Sequence, residues 1–265
     1  MSNLLNLFGE ELRIARQEAG LSQEDLATKI NYSAAQVSAV ERGTRRPSDD
    51  LANRADAVLG LNGRLSRLLA GIRHEAAQPA LRPWLAFETE AVALRSYEPC
   101  LIPGLLQTEA YARALLSGGG LLTAAQIDEQ VAVRIERQAV LARENPPQTV
   151  FVIDEQVLRR PLGGPEVMRE QLLHILQLVD DCSRVRVHVV PLSVGGYAGL
   201  DGPLAVATSP EGAVAAYLDS QLTGTLVERP TDASEVIRAW EVIRGDALSC
   251  TQSRQLIEEA AEQWT

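Results

Sequence analysis

The chain has 265 residues, 46% of them apolar and 23% charged, with a formal net charge of −10. That length suits two domains, each burying its own core, and the composition excludes a disordered or fibrous chain. No apolar run approaches the roughly 18 residues of a membrane span, and the first residues lack a basic-then-apolar signal pattern, so the expected location is the cytoplasm. Cys100, Cys182 and Cys250 are too few and too scattered for a disulfide framework or a structural zinc site, and they read as buried thiols.

In chain order, Leu4, Leu5, Phe8, Leu12 and Ala15 form a helical stripe that Gly20 ends. Ser22 stands at an N-cap position, with Glu24 and Asp25 in the positive end of the helix dipole and Leu26, Ala27 and Ile30 on one apolar face. Asn31 and Tyr32 interrupt the pattern. Ser33 is a second N-cap, and Val37 with Val40 restores the apolar spacing up to Gly43. Helix, tight turn, helix is the order a helix-turn-helix requires. Ser48 then caps a fourth helix carrying Leu51, Ala55, Val58 and Leu59, and after Gly60 and Gly63 a fifth carries Leu65, Leu68, Leu69 and Ile72. This predicts an all-α, five-helix domain over residues 1–76, with a linker at 77–83 where prolines and small residues break the period.

The charge divides along the same line. Residues 1–76 hold ten Lys/Arg and ten Asp/Glu, so the remainder, with fifteen against twenty-five, carries the whole −10. Within the first part, Lys29, Arg42, Arg45 and Arg46 face Glu41 alone, a local +3. DNA binding needs such a patch, not a basic protein overall.

Gly20-Leu21-Ser22-Gln23, Leu26-Ala27, Ser33, Val37-Ser38, Glu41, Gly43 and Pro47 resemble the phage-repressor helix-turn-helix of the XRE family. The resemblance implies that the helix from Ser33 to Arg42 lies in the major groove of double-stranded DNA, with Ser33, Ala34, Ala35, Gln36, Ser38 and Ala39 facing base edges. Gln36 alone among them can pair bidentately with adenine, while the alanines offer only apolar contact to thymine methyls. Ser22, Gln23, Arg42, Arg45 and Arg46 would hold phosphates, and Glu41 is structural, pairing inside the domain. One such domain buries modest surface, so a homodimer on a pseudo-palindromic operator is expected.

Residues 84–265 read as a mixed α/β domain, making the protein α+β overall. Helical patterns run from Trp84 through Tyr97, over 105–117 and over 123–144, and an amphipathic helix covers 165–180. TVFVID at 149–154 and VRVHVVP at 185–191 are strands, with shorter ones at 203–208, 213–219 and 223–228. Helices from Ser234 to Asp246 and from Gln252 to Gln263 follow.

The segments LIPGLLQTEAYARALL, RIERQAVL, IDEQVLRRPLGG with VMREQL, VHVVPL and ALSCTQSRQLI are similar to the C-terminal domain, of unknown function, of a large group of actinobacterial XRE regulators. The resemblance implies a small acidic partner protein encoded nearby and a role in development and antibiotic production. Tyr197 stands where that resemblance leads one to expect a His.

Catalytic signals are sparse. His74, His174 and His188 lack carboxylate or His partners at ligand spacing. Asp154-Glu155 and Asp180-Asp181 suit helix ends or solvated turns, Gly118-Gly119-Gly120 lacks a phosphate-loop context, and Gly163-Gly164 reads as a turn. Trp84, Trp240 and Trp264 read as core. The expectation is a non-enzymatic transcriptional regulator without cofactor or metal, controlled through its second domain by a partner protein or ligand. Two alternatives stand beside it: an antitoxin-like autorepressor that neutralises a neighbouring protein, and an enzyme fused to a DNA-binding domain.

Overall fold

The computed structural model describes residues 3–76, 81–220 and 224–264. The chain divides into two compact units, residues 1–77 and 78–265.

The first unit is five helices: α1 (Asn3–Glu18), α2 (Gln23–Ile30), α3 (Ala34–Glu41), α4 (Asp49–Leu59) and α5 (Arg64–Ala76). Its core joins Phe8 and Leu12 of α1 to Leu26 and Ile30, Val37 and Val40, Leu51 and Ala55, and Leu65, Leu69 and Ile72. The serines at the helix starts do what their chemistry suggests. Ser22, Ser33 and Ser48 each accept a backbone N–H of the first turn, from Asp25, Gln36 and Leu51. Asp56 of α4 caps α5 from outside the helix, accepting the N–H groups of Leu65 and Ser66 at 2.9 Å each.

The second unit is built on a six-stranded sheet. In chain order its elements are α6 (Arg82–Glu90), β1 (Ala93–Glu98), α7 (Glu109–Gly118), α8 (Ala124–Arg137), α9 (Ala139–Ala142), β2 (Gln148–Asp154), α10 (Gln156–Arg159), α11 (Pro165–Asp181), β3 (Val185–Val190), β4 (Leu204–Thr208), β5 (Val214–Leu218), β6 (Thr225–Val227), α12 (Pro230–Asp246) and α13 (Cys250–Gln263). The strand order is β3-β2-β1-β4-β5-β6. The β1–β2 and β2–β3 pairs are parallel, and β4, β5 and β6 continue antiparallel from β1. Parallel neighbours need crossovers, which the helices between β1 and β2 and between β2 and β3 supply.

Period-two alternation sorts the side chains onto two faces. Phe151 and Ile153, with Val185, Val187 and Val189, face a core shared with Trp84, Tyr111, Leu172, Ile175 and Ile257. Val152, Val190, Val206 and Ala216 face the other way, onto Trp240 and Ile243 of α12. One row runs straight across the sheet through register partners Val187, Phe151, Ser96, Ala205, Tyr217 and Leu226.

Several expectations need correction. The helix predicted from Trp84 through Tyr97 ends at Glu90, and 93–98 is β1, at the centre of the sheet. Of the linker predicted at 77–83, residues 77–80 lie outside the described residues, while Arg82 and Pro83 already belong to α6, where Pro needs no hydrogen-bond partner in the first turn. The helix predicted over 105–117 begins only at Glu109, after a short 3-10 turn at Gly104–Leu106. The pattern over 123–144 breaks at Gln138, whose amide donates to the carbonyls of Gly104 and Gln107 and ties the break to that turn.

Candidate nucleic-acid interface

Two capping boxes and one left-handed residue shape the α2–α3 pair. At the start of α2 the Ser22 hydroxyl accepts the Asp25 N–H at 3.1 Å, and Asp25 in turn takes the Ser22 N–H at 2.9 Å and its hydroxyl at 2.6 Å. Asn31 ends α2 at φ 60°, a conformation that Asn tolerates, and Tyr32 N–H closes the turn on the Ala27 carbonyl at 2.9 Å. At the start of α3, Ser33 accepts from Gln36 N–H at 3.2 Å, and the Gln36 carboxamide oxygen takes the Ser33 N–H and hydroxyl, each at 3.0 Å.

Beneath α3, an ion-pair cluster fixes its angle. Arg16 Nε and Nη2 donate to the two oxygens of the Glu41 carboxylate at 2.6 and 2.9 Å, and Gln23 Nε2 donates to Glu41 Oε2 at 2.7 Å. Glu41 is buried, as its expected structural role requires. Arg16 also donates to the Leu21 carbonyl at 2.8 Å, so one guanidinium binds α1, the α1–α2 turn and α3 together. The hydrogen bond to Glu41 holds the Arg16 pKa above its ordinary value. Gly9 permits the approach: a Cβ there would lie 2.6 Å from the carbonyl oxygens of both Val40 and Glu41. Neither Arg16 nor Gly9 stands out in the sequence; the only signal is an Arg beside the apolar stripe and a Gly inside a helix that does not break.

Of the residues expected at base edges, Ser33 and Ala35 are exposed and Ala34, Gln36, Ser38 and Ala39 are half-buried, with Ala34 also packing on the core. Arg42 and Arg45 are exposed and Arg46 is half-buried; Arg42 donates to Ser38 Oγ along the helix. Several expected contacts are engaged internally, the Ser33 hydroxyl among them through its own cap. The Ser22 hydroxyl is committed to its cap, where a phosphate would first meet the Asp25 carboxylate. Gln36 keeps only its amide N–H groups available while its oxygen holds the cap. Gln23 retains one amide hydrogen beside its bond to Glu41.

In the second unit, side chains of catalytic type are tied into structural contacts. Asp154 and Glu155 stand at the start of α10, a helix end as expected, but are buried and not solvated: Asp154 accepts from Gln156 N–H and the Tyr197 hydroxyl at 2.9 and 2.6 Å, and Glu155 accepts from Leu192 N–H at 2.9 Å and from Arg159. Tyr197, at the expected His position, also meets the Tyr97 hydroxyl at 2.6 Å, and burial with these partners raises its pKa. The thiols are less buried than expected, Cys100 being exposed and Cys182 and Cys250 half-buried. His188 has its Nδ1 2.8 Å from the Leu248 carbonyl and its Nε2 3.4 Å from Cys250 Sγ, and burial lowers its pKa. His74 has no described side chain. Trp240 is core, Trp264 donates to the Leu158 carbonyl at 2.9 Å, and Trp84 lines a pocket described below. Among the described residues no three His, Cys, Asp or Glu side chains gather as a metal site, and no helix is long and apolar enough to cross a membrane.

A three-residue turn between two capped helices, on a small five-helix unit with α3 held from behind by an ion pair, defines the helix-turn-helix class of DNA-binding regulators. Residues 7–69 match the family described as helix-turn-helix domain, and residues 81–259 match the domain of unknown function DUF5753. The chain belongs to the DUF5753 family, which covers the larger part of its length. No curated protein and no solved structure matches it.

Proposed function

We propose that this protein is a sequence-specific transcriptional regulator of the XRE type that binds a pseudo-palindromic operator as a homodimer and is controlled through its second unit. The observation that carries the reading is the presentation of α3: its inner face is clamped by Arg16, Glu41 and Gln23, while Ser33, Ala35, Arg42 and Arg45 remain exposed. Clamping from behind fixes the helix angle that groove entry demands, and the exposed arginines supply phosphate contacts. Gln23, Arg42, Arg45 and Arg46 are the proposed phosphate set, and Ser33, Ala34, Ala35, Gln36, Ser38 and Ala39 the base-facing set. The acidic second unit suits a surface kept off DNA and turned to a partner protein or ligand.

This reading assigns no catalytic step to the protein. The test is selection of bound sequences from random duplexes by the full chain, followed by salt titration on the selected site and on an unrelated one. A symmetric site with half-sites about 34 Å apart, or a multiple of it, is expected. Absence of duplex binding even at low salt would overturn the reading.

A further inference from the structure

The row through Ser96 and Ala205 leaves a hole in the second unit. Between the rings of Phe151 and Tyr217, these two small side chains cannot fill the sheet face, and a pocket of about 150 Å³ opens above them. An apolar cavity of about that size accommodates a molecule such as benzene. Its walls include Leu94, Leu105 and Trp84, whose ring centroid lies 5.9 Å from that of Tyr217.

The charged groups of the pocket fall into two kinds. Glu88 and Arg137 satisfy each other through two hydrogen bonds of 2.9 and 2.7 Å, with Trp84 Nε1 adding a third to Glu88 at 3.0 Å. Arg134 donates to Gln107 Oε1 at 2.8 Å, and Gln107 is itself anchored on the Ile102 carbonyl at 2.6 Å. Two carboxylates remain. Asp219 has the Tyr217 hydroxyl at 3.5 Å. Glu98, on the same face of β1 as Leu94 and Ser96, lines the pocket and takes no hydrogen bond from any described residue. A half-buried carboxylate without donors is costly, and here desolvation first and Asp219 second push Glu98 up to about 8, with Arg134 opposing.

We infer that this pocket binds a small organic monocation, a primary ammonium on an apolar body of about six heavy atoms, with its N–H donors on Glu98 and Asp219 and its body against Trp84, Tyr217 and Leu94. A cation is favoured over an anion because both arginines of α8 already hold acceptors, Arg134 on Gln107 and Arg137 on Glu88, while among the described residues Glu98 lacks the donor that an ammonium supplies. The aromatic walls add cation–π attraction. At neutral pH the empty pocket holds a proton on Glu98, and the entering ammonium displaces that proton to solvent. The other ionisable groups around Glu98 are Arg95 of β1, Asp219 and Tyr217, Arg134 and Arg137 of α8, Glu88 of α6 and Tyr111 of α7. The inference rests on the regulator reading only for its consequence, that the amine is the signal; binding itself is independent of DNA.

The experiment is isothermal titration calorimetry of the full chain, without DNA, using cyclohexylammonium, cyclohexanol and cyclohexanecarboxylate. The ammonium should bind, more tightly at pH 8.5 than at 6.5 and with net proton release. The alcohol should be weaker by about tenfold or more, and the Glu98→Gln variant should lose about as much affinity for the ammonium. No heat with the ammonium, equal binding of ammonium and alcohol, or an undiminished Glu98→Gln variant would each overturn the inference. The comparison of the three probes needs no variant, so a misfolded Glu98→Gln chain leaves it decisive. Failure here leaves the DNA-binding reading standing, and a chain that binds no DNA leaves this titration meaningful.

Discussion

Arg16 and Glu41, 25 residues apart, meet through two hydrogen bonds in the interior of the first unit, and Gln23 completes the carboxylate's shell. Removing Glu41 leaves a buried guanidinium without its counter-charge, so Glu41→Ala should destabilise the first unit by about 3–5 kcal/mol. Replacing both partners by apolar residues, Arg16→Met with Glu41→Leu, should recover most of that loss. Urea unfolding of the full chain followed by circular dichroism measures both; a single variant within about 0.5 kcal/mol of the parent would contradict the role given to the pair.

Gly9 supports the same geometry from the backbone. A methyl group 2.6 Å from two carbonyl oxygens cannot be absorbed by rotating a side chain, so Gly9→Ala must push α1 away from α3. The expected cost is about 1–3 kcal/mol despite the better helix propensity of Ala. Gly71 of α5, whose added Cβ would meet nothing within 4 Å, is the control: Gly71→Ala should stabilise.

Glu98 makes a prediction of opposite sign to most carboxylates. Its pKa is raised from 4.5 to about 8 in the folded chain, so the unfolded state releases the proton first as pH increases. The penalty is absent below about 4.5, grows through the interval and is complete above about 8. Relative to the parent, Glu98→Gln should therefore gain stability between pH 5 and pH 8.5. A difference between the two melting temperatures that does not change with pH would show that Glu98 titrates normally.

The parts of the fold legible in the sequence are those written in neighbouring residues. Caps at Ser22, Ser33 and Ser48 and the stop at Gly43 use side chains and backbone only a few positions apart, and the helix-turn-helix follows from them. β1 was hidden because Leu94 and Tyr97, three apart, mimic a helical stripe; in the strand they point to opposite faces and serve different cores. Ser96, between them, is small and leaves the pocket open above it. Arg16 with Glu41, and Glu98 with Arg134 and Asp219, join residues too far apart for any local pattern to pair.

The base-reading face carries the last prediction, and it turns on Gln36. In the free chain the Gln36 carboxamide oxygen caps Ser33 N–H, so a bidentate pair with adenine requires opening the capping box. Gln36→Glu preserves the box, since either side chain can close it, and adds a negative charge favourable to the helix N-terminus. That variant should fold as stably as the parent yet bind every duplex more weakly, because its charge faces phosphates. Gln36→Ala loses the reciprocal cap at a cost of about 0.5–1 kcal/mol and should alter which bases are preferred. Arg45→Ala should weaken binding to all sequences alike and reduce the magnitude of the salt slope by about one. Fluorescence anisotropy on the selected site and on an unrelated duplex separates these outcomes. If Gln36→Ala lost the same affinity on both, Gln36 would be a capping residue alone, and sequence choice would pass to the alanine methyls, Ser33, Ser38 and the shape of the DNA.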